Sequence, residues 1–202
     1  MALNGKPKPK VPTSGFDAYF QGYTVAQVKK KNGKYRTVRI YTAPYRVHDM
    51  TDEEWVRQKI AVGVLTAFAV ACYLWAALER IPSNTVSYVA LAGGLSAACL
   101  LFVAAYALTY LFNKRQMTIY ECTNTSKALL RWTLLAGICL TITGVADLLY
   151  LILNRGQDLP AVLWSMARYL LSAGAVILLN RMEDKTFYTQ EENETMLPFD
   201  RS

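Results

Sequence analysis

Four apolar runs dominate this chain: Ile60–Leu78, Val86–Phe112, Trp132–Leu153 and Pro160–Leu179. Each holds 19 to 27 residues. A helix rising about 1.5 Å per residue needs about 20 apolar residues to cross a hydrocarbon layer about 30 Å thick. In lipid every backbone polar group must be satisfied within its own segment, so runs of this length fold as helices. The expected fold is an all-α membrane protein, a four-transmembrane-helix bundle over residues 51–182 with spans at 60–78, 86–112, 132–153 and 160–179. A small cytoplasmic β-hairpin or short sheet is expected beside it, from residues 16–50. The 53% hydrophobic content of the 202 residues agrees with that class.

Lys and Arg near span ends are retained on the cytoplasmic side. Twelve precede Ile60, and Lys114, Arg115, Lys127 and Arg131 lie between the second and third runs. Arg181 and Lys185 follow the fourth, whereas the remaining two loops hold only Arg80 and Arg155. Both ends of the chain are therefore expected in the cytoplasm, with two short external loops, and the loop lengths and basic bias suit a bacterial inner membrane. Met1 to Gly15 lacks an apolar core and carries Lys6, Lys8 and Lys10. It reads as a mobile basic arm rather than a signal peptide, and the first span as an uncleaved anchor.

Tyr23 to Thr42 has the pattern of a hairpin turning at Asn32-Gly33, the dipeptide that best tolerates two positive-φ positions. A two-residue turn there opposes Tyr23 to Thr42, Val25 to Ile40 and Gln27 to Val38. One face is then apolar, while Lys29, Lys30, Lys31, Lys34, Arg36 and Arg39 form a basic surface. A lone hairpin is marginal in water, so a cover is expected from 116–122, from 186–190 or from a partner. Thr51-Asp52-Glu53-Glu54 is a capping box that starts the first helix ahead of its span. Residues 183–202 form an acidic tail, with Glu183, Asp184, Glu191, Glu192, Glu194 and Asp200, expected to stay solvated.

Asp147 and Arg168 each place a full charge inside a run, where ionisable residues usually face the bundle interior and are paired or functional. In an antiparallel hairpin closed by residues 154–159, positions summing to about 315 lie level. That rule sets Asp147 opposite Arg168, Thr143 opposite Ser172 and Tyr150 opposite Ser165, an intramembrane polar seam with an ion pair in it. The pair lies short of the midplane, so Arg168 can also extend toward the headgroups.

Gly93, Gly94, Ala97 and Ala98 let a neighbouring helix approach, expected to be the first span rather than a second copy. Tyr106, Tyr110, Trp132, Tyr150 and Trp164 fall near span ends as an aromatic belt. Cys72, Cys99, Cys122 and Cys139 contain no C-x-x-C pair and read as packed thiols. His48 is the only histidine, which leaves no catalytic triad and no His-based metal cluster. No Gly-rich phosphate loop is present either.

No catalytic residue, metal or cofactor is therefore expected. The function expected is that of a non-catalytic accessory, assembly or scaffolding subunit. Its partners would be the lipid bilayer and a membrane or cytoplasmic protein, or a second copy of the chain. Anionic lipid suits the basic arm, whereas no nucleic-acid motif accompanies the charge. The alternative is a small oligomeric transporter or channel lined by the seam around Asp147 and Arg168.

Overall fold

The computed structural model describes residues 20–29, 35–154, 158–186 and 188–191. The basic arm, the hairpin turn with Lys30, Lys31 and Lys34, and the tail beyond Glu191 lie outside the described residues. Four helices, α1 (Asp52–Leu78), α2 (Ser87–Phe112), α3 (Ile119–Leu153) and α4 (Leu159–Asp184), are long and apolar enough to cross a membrane. They are apolar on both faces. Val62, Ala69, Leu140 and Val176 point into the bundle, while Leu91, Leu101 and Ile152 on the outer faces are 70%, 72% and 67% exposed. A helix apolar all round is stable in lipid, not in water.

The helices form an antiparallel ring in chain order, α4 closing against α1. At α3–α4 the approach is close: a Cβ on Gly137 or Gly144 would sit 3.0 Å from Ile177 or 3.2 Å from Leu170.

The first helix begins as its capping box requires, the Thr51 hydroxyl accepting from the Glu54 amide while the Glu54 carboxylate accepts from the Thr51 amide at 2.8 Å. Its other end is closed by Asn84, whose side-chain amide donates to the carbonyls of Ala76 and Glu79. The same carbonyls also accept from the Glu79 and Ile81 amides, which gives these helix-end groups their partners.

The third helix starts well before Trp132, where the apolar run begins. Thr118 and Glu121 make a second capping box, and a π turn at Thr123–Lys127 carries the chain into the bundle. Thr118-Ile119-Tyr120-Glu121 has the same S/T-x-x-E pattern as Thr51–Glu54, hidden by the polar stretch that follows it.

Among the described residues, all the strands belong to segments at one end of the bundle, the sheet end; the opposite end, with the α1–α2 and α3–α4 connections, is the loop end. Strands β1 (Tyr23–Lys29) and β2 (Tyr35–Tyr41) make the hairpin. Its register differs from the expected one by a residue: Tyr23 pairs with Tyr41, Val25 with Arg39 and Lys29 with Tyr35. The last pair is Lys29 with Tyr35, and residues 30–34 between them lie outside the described residues.

The root of the hairpin sets this register. Gly22, at φ +87°, accepts from the Thr42 amide at 2.8 Å, and the Tyr23 and Tyr41 rings meet edge to face at 5.2 Å. A one-residue slip exchanges the faces, which leaves Val25 61% exposed.

The anticipated covers of the hairpin go elsewhere. Strands β4 (Gln116–Met117) and β5 (Tyr188–Glu191) flank a strand not expected from the sequence, β3 (Tyr45–His48), in a separate antiparallel sheet of order β4-β3-β5. The start of the tail is thus paired with β3, while Thr189, Gln190 and Glu191 keep exposed side chains.

Candidate functional site

The anticipated polar seam divides into separate contacts. Arg168 does not meet Asp147. Its guanidinium pairs with Glu79 just past the end of α1, between the rings of Trp75 and Trp164 at 4.6 and 5.2 Å. The long side chain of Arg168 runs outward past Trp75 to an acid that ends the first apolar run. Equal depth in a hairpin relates α3 to α4, whereas the partner stands on α1, the non-sequential neighbour of α4. Glu79 had one signal in the sequence, a charge at the edge of an apolar run.

Asp147, Ser83 and Ser165 are fully buried. The two hydroxyls face the Asp147 carboxyl, one from the 3-10 turn Pro82–Thr85 and one from α4. Neither carboxyl oxygen and neither hydroxyl closes a hydrogen bond among the described residues. Tyr169 packs on the same side. Tyr150 is buried inside the bundle rather than in an aromatic belt.

Deeper in, Thr143 shares a hydrogen bond of 2.9 Å with Ser96 of α2, not with Ser172. Ser172 donates to the Ala69 carbonyl at 2.8 Å, which ties α4 to α1. Cys99 and Cys139 stand with their sulfurs 3.9 Å apart across α2 and α3, a pairing that their separation in sequence concealed.

In α2, Gly93 accepts from the Tyr73 hydroxyl of α1 at 2.8 Å, and Ala97 packs half-buried beside it. Gly94 and Ala98 face outward. An apolar groove of about 430 Å³ lies between α1 and α2, lined by Gly63, Ala67, Ala71, Ala107 and Leu111.

At the sheet end a buried polar and aromatic cluster joins β3, β5 and the ends of all four long helices. His48 is fully buried, its ring 4.0 Å from Trp55 and 4.5 Å from Tyr188. Tyr110, expected in the belt, is buried here against Trp55 at 5.2 Å. Neither His48 nitrogen has a hydrogen-bond partner among the described residues. Burial pushes its pKa down to about 4, and the charges of Arg115 and Lys59 add to the effect.

Glu183 is 2% exposed and accepts from Gln58 at 3.2 Å and from Tyr188 at 2.8 Å. The Tyr188 hydroxyl also meets that of Ser126 in the π turn. Burial and the nearby Glu183 carboxylate raise the Tyr188 pKa above that of a free phenol. This cluster went unforeseen because Glu183 reads as part of an acidic tail. Its signal was the stripe Ser165, Ser172, Val176, Leu179, Glu183, which continues the buried face of α4.

Of the basic surface, Lys29, Arg36 and Arg39 lie in the hairpin strands, and Arg39 packs over the Phe20 ring at 3.9 Å. The hairpin is rooted through Tyr41, whose hydroxyl accepts from the Ile119 amide at 3.2 Å and donates to the Pro44 carbonyl at 3.1 Å. Among the described residues no three His, Cys, Asp or Glu side chains group as metal ligands. Comparison with known protein families, with curated proteins and with solved structures finds no match to this chain.

Proposed function

We propose that the chain is a non-catalytic integral membrane protein, an accessory, assembly or scaffolding subunit. Four spans hold a small β module at the cytoplasmic face of a bacterial plasma membrane, and that module binds a protein partner. The positive charges gathered at the sheet end support this orientation, because cytoplasmic flanks retain Lys and Arg. The observation that carries the proposal is the hairpin. It is a two-stranded sheet with no third strand among the described residues, rooted on the bundle through Tyr41 and exposing Val25. Such an element is ready to add a strand from a partner.

The transporter alternative has less support. Arg168, Thr143 and Ser172, which would line a path, are each bonded to a neighbouring helix, and buried Ala136 and Leu140 lie between Asp147 and the sheet end.

The test is purification from the native host in mild detergent, comparing the wild type with Val25→Asp. A partner retained by the first and lost from the second, with the thermal midpoint of the bundle unchanged, is the expected result. Ion flux in liposomes that Asp147→Asn abolishes would overturn the proposal in favour of a transporter.

A further inference from the structure

Three buried polar groups meet at the loop end of the bundle, with the Tyr169 phenol beside Ser165 and Asp147. Asp147 sits six residues before the end of α3, about 9 Å inside it, with Ser83 on the connecting 3-10 turn and Ser165 on α4 facing its carboxyl. All three are fully buried, and none closes a hydrogen bond among the described residues. A carboxylate charge in such a place is costly unless something neutralises it.

The nearest cation in sequence on α4, Arg168, is committed to Glu79 and two indole rings. The other titratable group packed against Asp147 is the phenol of Tyr169 on α4. On α3 itself Tyr150 follows one turn later, and the 3-10 turn contributes only Ser83. No Lys, His or second carboxylate among the described residues bears on the carboxyl. A hard divalent cation takes six or more oxygens, whereas the carboxyl and the two hydroxyls offer four.

A proton meets the requirement. It removes the charge and turns one carboxyl oxygen into a donor, so that Asp147 can donate to one serine while accepting from the other. Ser83 belongs to the turn that closes the loop end, which gives the site a hydroxyl on the side of the surface. Toward the sheet end Thr143 is bonded to Ser96, and the buried residues Leu140 and Ala136 follow. We propose that Asp147, flanked by Ser83 and Ser165, is a buried proton-binding acid that exchanges with the loop end of the bundle and not with the sheet end.

A carbodiimide tests this directly, because the acid O–H adds across its C=N bond, the carboxyl oxygen joining carbon and the proton passing to nitrogen. The protein is placed in vesicles of known orientation and treated with dicyclohexylcarbodiimide, which partitions into lipid, or with a water-soluble carbodiimide. The expected result at neutral pH is a mass adduct on the peptide containing Asp147 with the lipophilic reagent alone. The adduct disappears in Asp147→Asn. Its yield falls when pH is raised on the loop side and is indifferent to pH on the sheet side.

Absence of the adduct from folded wild type, or an adduct that follows the sheet-side pH, would overturn the proposal. So would a thermal midpoint that rises with sodium in wild type and not in Asp147→Asn, since that would make the ligand a metal cation.

Discussion

Replacing Glu79 tests the assignment of the buried cation most sharply. The Arg168 side chain is 8% exposed and that of Glu79 30%. Glu79→Gln keeps the size of the side chain and removes the charge, leaving a guanidinium held between two indoles without an anion. A hydrogen bond to a charged group contributes about 1.5–3 kcal/mol, and the partial exposure of Glu79 places this one near the lower end, about 1.5 kcal/mol. The two cation–π contacts, about 0.5–2 kcal/mol each, survive in Glu79→Gln and are lost in Arg168→Met.

A double-mutant cycle isolates the pair. Glu79→Gln with Arg168→Met should show a coupling of about 1.5 kcal/mol, roughly tenfold in the folding equilibrium. Asp147→Asn with Arg168→Met should be additive within about 0.5 kcal/mol. Reversible unfolding in mixed micelles, followed by tryptophan fluorescence, gives all the values required. A larger coupling at positions 147 and 168 than at 79 and 168 would refute the pairing described here.

The His48 ring, whose pKa lies near 4 against an ordinary 6.5, should make stability depend on pH. As pH falls the unfolded chain takes up the proton first, so stability that is whole above 6.5 is lost progressively toward 4. The loss is at most about 3.4 kcal/mol. A thermal midpoint measured across this range should slope in wild type and flatten in His48→Phe; equal slopes would remove His48 from the account.

Tyr188→Phe deletes the hydroxyl shared by Glu183 and Ser126. It should loosen β5 by about 1–3 kcal/mol, read as faster proteolysis after Lys185 with the helices still protected. Cys99 and Cys139, 3.9 Å apart, should be joined within one chain by a short thiol cross-linker soluble in lipid, and Cys99→Ser should abolish the product. A product that survives in Cys99→Ser would contradict the packing of α2 on α3.

Much of the architecture was legible because its causes are local. An apolar run of twenty-odd residues must satisfy its backbone by itself, so four such runs specify four helices before any contact is known. Thr51 and Glu54 start α1 by bonding each other, which needs no tertiary context.

Other features depend on which elements become neighbours. Arg168 found Glu79 because the ring closes α4 against α1. Glu183 is buried because β3 and β5 pair over the helix ends, and the hairpin register follows from Gly22 and Tyr41 at the root rather than from the Asn-Gly of the turn. Periodicity reports which face of a helix is turned inward, and apolar length reports how many long helices there are. Neither reports which side chain stands opposite, and for Asp147 that left the decision to the packing of four helices, which placed two serines beside it and the arginine out of reach.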